Sequence, residues 1–123
     1  MNDINKKNDE MFYLTDYEIK VMTALCSTSV KFKMNIIFST FKRDNFNSIF
    51  KVSDNEWGIS FIDSDEIEKF DDVVAACYTL IKGIVMPELL DYVLNYFNTE
   101  LNNDIIDSSF LEFVNVKKRK KVK

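Results

Sequence analysis

The chain contains no histidine, and its 123 residues include only two glycines, one proline and two cysteines. Each shortage excludes something. Without histidine, the commonest general base and the commonest metal ligand are missing. Gly58 and Gly83 are too isolated to build a phosphate-cradling loop. So little glycine and proline also argues against a barrel of many tight turns. Cys26 and Cys77 form no CxxC pair and read as two buried free thiols in a reducing compartment. Met1 to Glu10 lacks the apolar centre of a secretory signal. The longest mostly apolar run, Val73 to Met86, is interrupted by Lys82 and is too short to span a bilayer. The expectation is a soluble, intracellular protein with no membrane partner.

Catalytic signals are equally sparse. Neither thiol has an evident activating neighbour. Asp63, Asp65, Glu66 and Glu68 could face a divalent cation, but their spacing is not that of an EF-hand loop, and helix capping accounts for two of them. No enzymatic activity, metal or cofactor is expected.

What the chain does have is apolar bulk. Hydrophobic residues make up 46 %, including eleven phenylalanines, five tyrosines and one tryptophan. Burying each large apolar side chain contributes about 1.5–3 kcal/mol, so the middle of the chain is not disordered. The length suits one domain. Met1 to Glu10 reads as a disordered arm, residues 11–116 as a single α+β domain, and residues 117–123 as a basic flexible tail.

Two readings compete over Phe12 to Leu25. Thr15 with Glu18 has capping-box spacing and leads into Ile19, Met22 and Leu25, which favours a helix. The rival is a strand with Tyr17, Ile19, Val21 and Thr23 alternating. Beyond it, the strict alternation of Val30, Phe32, Met34, Ile36 and Phe38 predicts a strand with Lys31 and Lys33 exposed on the other face. A turn at Lys42 to Asn45 leads to a second strand over Phe46 to Val52, and a third covers Trp57 to Ile62. Short connections predict an antiparallel meander. Asp63 with Glu66 predicts a capped helix reaching about Ile84, with Ile67, Phe70 and Val74 in its stripe. Pro87 predicts the first turn of another helix running to Leu101. Phe110 to Val116 reads as one more strand. The predicted fold is an antiparallel three- or four-stranded sheet with two main helices packed on one face.

Charge is sorted along the chain. Residues 27–53 carry Lys31, Lys33, Lys42, Arg43 and Lys51 against Asp44 alone, whereas residues 54–107 hold thirteen carboxylates against Lys69 and Lys82. Lys117, Lys118, Arg119, Lys120, Lys121 and Lys123 then close the chain. Local potential decides whether a polyanion is attracted, so the net charge of −4 hides two basic regions. The pleat would place Lys31, Lys33 and Lys51 on one sheet face, where phosphates of single-stranded nucleic acid are tracked. Lys42 and Arg43 extend that set. The terminal cluster fits a nuclear-import signal or a nucleic-acid tether.

Strands followed by Gly58-Ile59-Ser60 and then an acidic helix carrying Ile67, Phe70 and Val74 resemble the core of the positive-cofactor-four (p15) family of transcriptional coactivators. The likeness covers about residues 20–84, and the short Gly-Ile-Ser turn is its only sequence element. It implies a curved antiparallel sheet that binds single-stranded DNA and a homodimer formed through the following helix. The second helix after Pro87 and the few basic strand residues depart from that pattern. Two functions follow as expectations. The first is a non-enzymatic nucleic-acid-associated protein of nuclear or viral setting. The second is a protein-interaction module, or a viral regulatory or structural component, whose helices dock a partner.

Overall fold

The computed structural model describes residues 13–39, 41–103 and the pair 117–118. In chain order these form β1 (Tyr13–Leu14), α1 (Asp16–Phe32), β2 (Ile36–Ser39), β3 (Asn47–Ser53), β4 (Glu56–Ser60), β5 (Glu68–Phe70), α2 (Val73–Ile84), α3 (Pro87–Asn102) and β6 (Lys117–Lys118). The class is α+β: a four-stranded mixed sheet in the order β2-β3-β4-β5 with three helices.

α1 begins where the capping box predicts. The Glu18 amide donates to Thr15 Oγ1 at 3.1 Å, and the Thr15 amide donates to Glu18 Oε1 at 2.9 Å. This reciprocal pair satisfies two amides that helix geometry leaves orphaned. The helix then runs through Val30 and Phe32, correcting the strand expected there. Alternation is a weaker signal than propagation from a formed helix, which adds one hydrogen bond for each residue fixed. Thr23 and Thr28, poor helix formers by propensity, donate their hydroxyls to the carbonyls of Ile19 and Ala24. Lys33 ends the helix in the left-handed conformation at φ 55°, its amide donating to Ser29 and Val30 carbonyls. Of the predicted strand face only Phe38 is fully buried. Val30 stands in solvent.

The meander expectation also needs correcting at one pair. β3–β4 and β4–β5 are antiparallel, but β2 pairs with β3 in parallel, Ile36 opposite Asn47 and Ser39 opposite Phe50. Parallel neighbours usually require a crossover of about a dozen residues or more. Here β2 has only four residues, roughly 13 Å of strand at about 3.3 Å per residue. The connection from Ser39 to Asn47 reaches about 25 Å when extended, enough to return to the strand's start. It is fastened on arrival. Ser48 Oγ accepts from the Arg43 amide and donates to the Arg43 carbonyl, and Asn35 Nδ2 donates to the Asn45 carbonyl.

The second helix starts nine residues later than expected, at Val73 rather than Ser64, and its cap is Asp72, whose Oδ1 accepts from the Val74 amide at 3.2 Å. Asp63 and Glu66 therefore do not cap a helix. Serines compete locally. Ser64 Oγ accepts from the Glu66 amide, and Ser60 Oγ donates to the Glu66 carbonyl. Glu68–Phe70 is then taken up as the edge strand β5 on β4, which leaves Ile67 exposed. Asp72→Ala is expected to cost about 1 kcal/mol, as loss of a single cap does, with urea unfolding as the check.

Helix α3 starts with Pro87 at its first turn, as predicted. It packs antiparallel on α1, with Tyr92 and Tyr96 beside Phe32 and Glu100 beside Ser27. One sheet face carries Phe38, Ile49, Trp57 and Ile59 into a core closed by Leu14, Ile19, Met22, Leu25, Ala76, Leu80, Ile81, Val93 and Phe97. Phe50 lies buried on the opposite face, its ring across Gly58. A Cβ at Gly58 would stand 2.7 Å from Phe50 Cε2. Gly58→Ala must therefore displace that ring, and a loss of about 1–3 kcal/mol is expected from overpacking, read as a lowered urea midpoint. The basic segment does not leave the fold at Lys117. The backbones of Lys117 and Lys118 pair in parallel with Tyr13 and Leu14. The expected arm over residues 1–10, the expected strand over 110–116 and the remainder of the basic segment lie outside the described residues.

Candidate functional site

The five lysine and arginine side chains expected to share a nucleic-acid surface are not brought together. Lys51 Nζ lies 2.9 Å from Glu18 Oε1, with only 9 % and 11 % of the two side chains exposed. It sits on the helix-packed face, opposite Trp57 in register. The alternation reading placed Lys51 in solvent, but a carboxylate on α1 covers that position. Lys42 Nζ is paired with Asp44 Oδ1 at 2.9 Å, and the lysine holds the Asp44 carboxyl below its ordinary range. Arg43 lies beside it with its guanidinium 5.8 Å from the ring centre of exposed Phe41. Lys31 and Lys33 belong to the end of α1, not to the sheet. Of residues 117–123 only the backbones of Lys117 and Lys118 are described.

Neither thiol suits nucleophilic chemistry. Burial pushes the Cys26 thiol up to about 12. Burial, followed by the nearby Cys26 and Asp72 charges, raises Cys77 well above its usual range. Both are protonated at neutral pH, so native-state alkylation by iodoacetamide is expected to be slow and to become rapid only on unfolding. Among the described residues no group of three or more cysteines and carboxylates could hold a metal ion. No described helix is long and apolar enough to cross a membrane.

A different feature concentrates exposed apolar surface. Where α1 ends and α3 begins, a groove of about 320 Å³ is lined by Phe32, Met34, Ile84, Val85, Met86, Leu89 and Val93, with Lys33, Asn35 and Asn47 as its polar wall. Asn47 is already engaged, its Nδ2 donating to the Asn35 carbonyl and its Oδ1 accepting from the Ile62 amide. The groove continues into an aromatic seam. Phe32 meets Tyr92 and Tyr96 edge-on at 5.6 and 5.5 Å, and Lys31 Nζ lies 5.3 Å from the Tyr96 ring centre. Met86, Leu89 and Tyr92 are 59 %, 49 % and 62 % exposed.

Leu90, Val93, Leu94, Phe97 and Leu101 form the core-facing stripe of α3, with Val93 and Phe97 fully buried. Leu89 and Tyr92 fall outside that stripe. Bulky apolar residues off the core-facing face of a helix were the available signal for this surface. Comparison of the chain with family models, with curated proteins and with solved structures yields no match.

Proposed function

We propose that this chain is a non-enzymatic protein-interaction module that holds a peptide segment of a partner protein where α1 ends beside α3. The observation that carries the reading is the continuity of the apolar groove with exposed Met86, Leu89 and Tyr92. Clustered exposed apolar side chains with a polar border mark binding surfaces more often than scattered ones do. The groove's volume lies near the lower end of ligand sites, about 300–1,000 Å³, and suits a few side chains of a docking segment.

Selection of random displayed peptides on the immobilised full chain tests this. Peptides selected by the native protein are expected to lose about tenfold or more in affinity on Leu89→Asp and on Tyr92→Ala, as anchor contacts do. Leu89→Asp, at an exposed site, should leave stability within about 0.5 kcal/mol, and Tyr92→Ala should cost about 0.5–1.5 kcal/mol through its lost edge contact with Phe32. Ile67→Asp, on the loop before β5, should leave binding unchanged. Selected peptides indifferent to Leu89 and Tyr92 would sink the proposal.

Nucleic-acid association is the second reading, supported by exposed Phe41 with Arg43 over its ring, a small stacking platform beside a cation. The likeness to the positive-cofactor-four family and a nuclear or viral role belong with it. The parallel β2–β3 pair departs from the antiparallel sheet that likeness implies. Full engagement of the six basic residues at 117–123 would give a log–log salt slope of about −4 on single strands, at roughly −0.7 per contact. Lys51 should add nothing to it. No binding to single-stranded DNA or RNA at low salt would remove this reading.

A further inference from the structure

We infer that the segment taken by this surface is acidic as well as apolar, its bulky side chains entering the groove and its carboxylates meeting Lys33 and Lys31. This rests on the interaction-module reading above and names the chemistry of its partner.

Two independent observations support the charge assignment. The first is electrostatic. Lys51 and Lys42 have carboxylate partners, whereas Lys31 and Lys33 form no ion pair among the described residues. Glu88 and Asp91 are close along α3, but their side chains leave the helix roughly 100° and 160° around its axis from Leu89, at about 100° per residue. No α3 carboxylate lines the groove itself, although Glu88 stands one turn before Tyr92 and Glu100 reaches α1 at Ser27, so Lys33 is the groove's charged border. Lys33 lines the groove itself. Lys31 is held over the Tyr96 ring at the neighbouring seam.

The second observation is conformational. Lys33 is the one non-glycine residue with positive φ among the described residues. That helix-ending position favours glycine or asparagine, because a Cβ crowds the backbone there. Lysine is costlier than glycine in that backbone state, although its charge complements the negative end of the helix. What it adds is a cation at the lip of an apolar groove, its backbone held by one amide that donates to the carbonyls of Ser29 and Val30. A costly backbone state in a place that also carries an unpaired charge points to a binding role.

The test uses the same displayed-peptide selection, followed by synthesis of the most enriched peptide and anisotropy titrations against the full chain. Enriched peptides are expected to combine bulky apolar residues with net negative charge and to bind more weakly as salt rises. Lys33→Gly is the informative variant. It should keep or raise the melting temperature, since glycine suits the cap, yet weaken acidic peptides several-fold. Lys33→Glu should weaken them further. Enriched peptides that are neutral or basic but still depend on Leu89 would overturn this inference and leave the interaction module standing. Peptides independent of Leu89 would remove both. Concentration-dependent self-association in sedimentation velocity, abolished by Leu89→Asp, would assign the surface to a second copy and also overturn the inference.

Discussion

Replacing Lys51 with alanine should destabilise the protein by about 3–5 kcal/mol, because it strands the Glu18 carboxylate without its partner in a nearly dry site. The two side chains are only 9 % and 11 % exposed, and their contact of 2.9 Å links the centre of β3 to the first turn of α1. Glu18 also accepts the Thr15 amide, so the same carboxylate closes the helix cap and holds the sheet. Removing the charge from both partners should cost far less than removing it from one. The Glu18→Leu, Lys51→Met double variant should recover most of the loss, retaining a deficit of about 1 kcal/mol for the missing cap bond. Urea denaturation of the single variants and the double variant measures the coupling. Additive losses, with no recovery in the double variant, would show that the pair is not a coupled buried unit.

Phe97→Ala should rank with it, at about 3–5 kcal/mol, the range for an aromatic side chain removed from a filled core. Phe97 is wholly buried on α3 and meets Tyr78 of α2 edge-on, with ring centres 5.8 Å apart. Alanine leaves a cavity among elements fixed independently by α1 and the sheet, so the site can collapse only in part. Eight residues earlier on the same helix, Leu89→Ala should change stability by no more than about 0.5 kcal/mol. The contrast separates core from docking surface along a single helix. A loss below about 1 kcal/mol at Phe97 would contradict the packing described.

Some of this architecture was legible residue by residue. Thr15 and Glu18 announce the start of α1, since both halves of a capping box lie within one turn and need no distant partner. Pro87 does the same for α3. The β3–β4 hairpin follows from its polar turn between two apolar strands. Other signals misled because each had a local competitor. The alternation from Val30 to Phe38 is real, but α1 was already propagating through it. Asp63 resembles a cap, but Ser60 and Ser64 bind the following backbone, and β4 captures residues 68–70 as a strand.

Composition and short-range order dictate the α+β class, the first turns of α1 and α3, a sizeable apolar core and the lack of histidine-based chemistry. Those properties depend on composition or on groups within a few residues of one another. Tertiary structure alone decided that Lys51 is buried, through a carboxylate 33 residues away, and that β2 runs parallel to β3. It also decided that Lys31 and Lys33 border an apolar groove instead of a sheet face. Each of these depends on which distant segments share space once the core closes. A charge that reads as solvated in one dimension then becomes a buried partner or the rim of a binding surface.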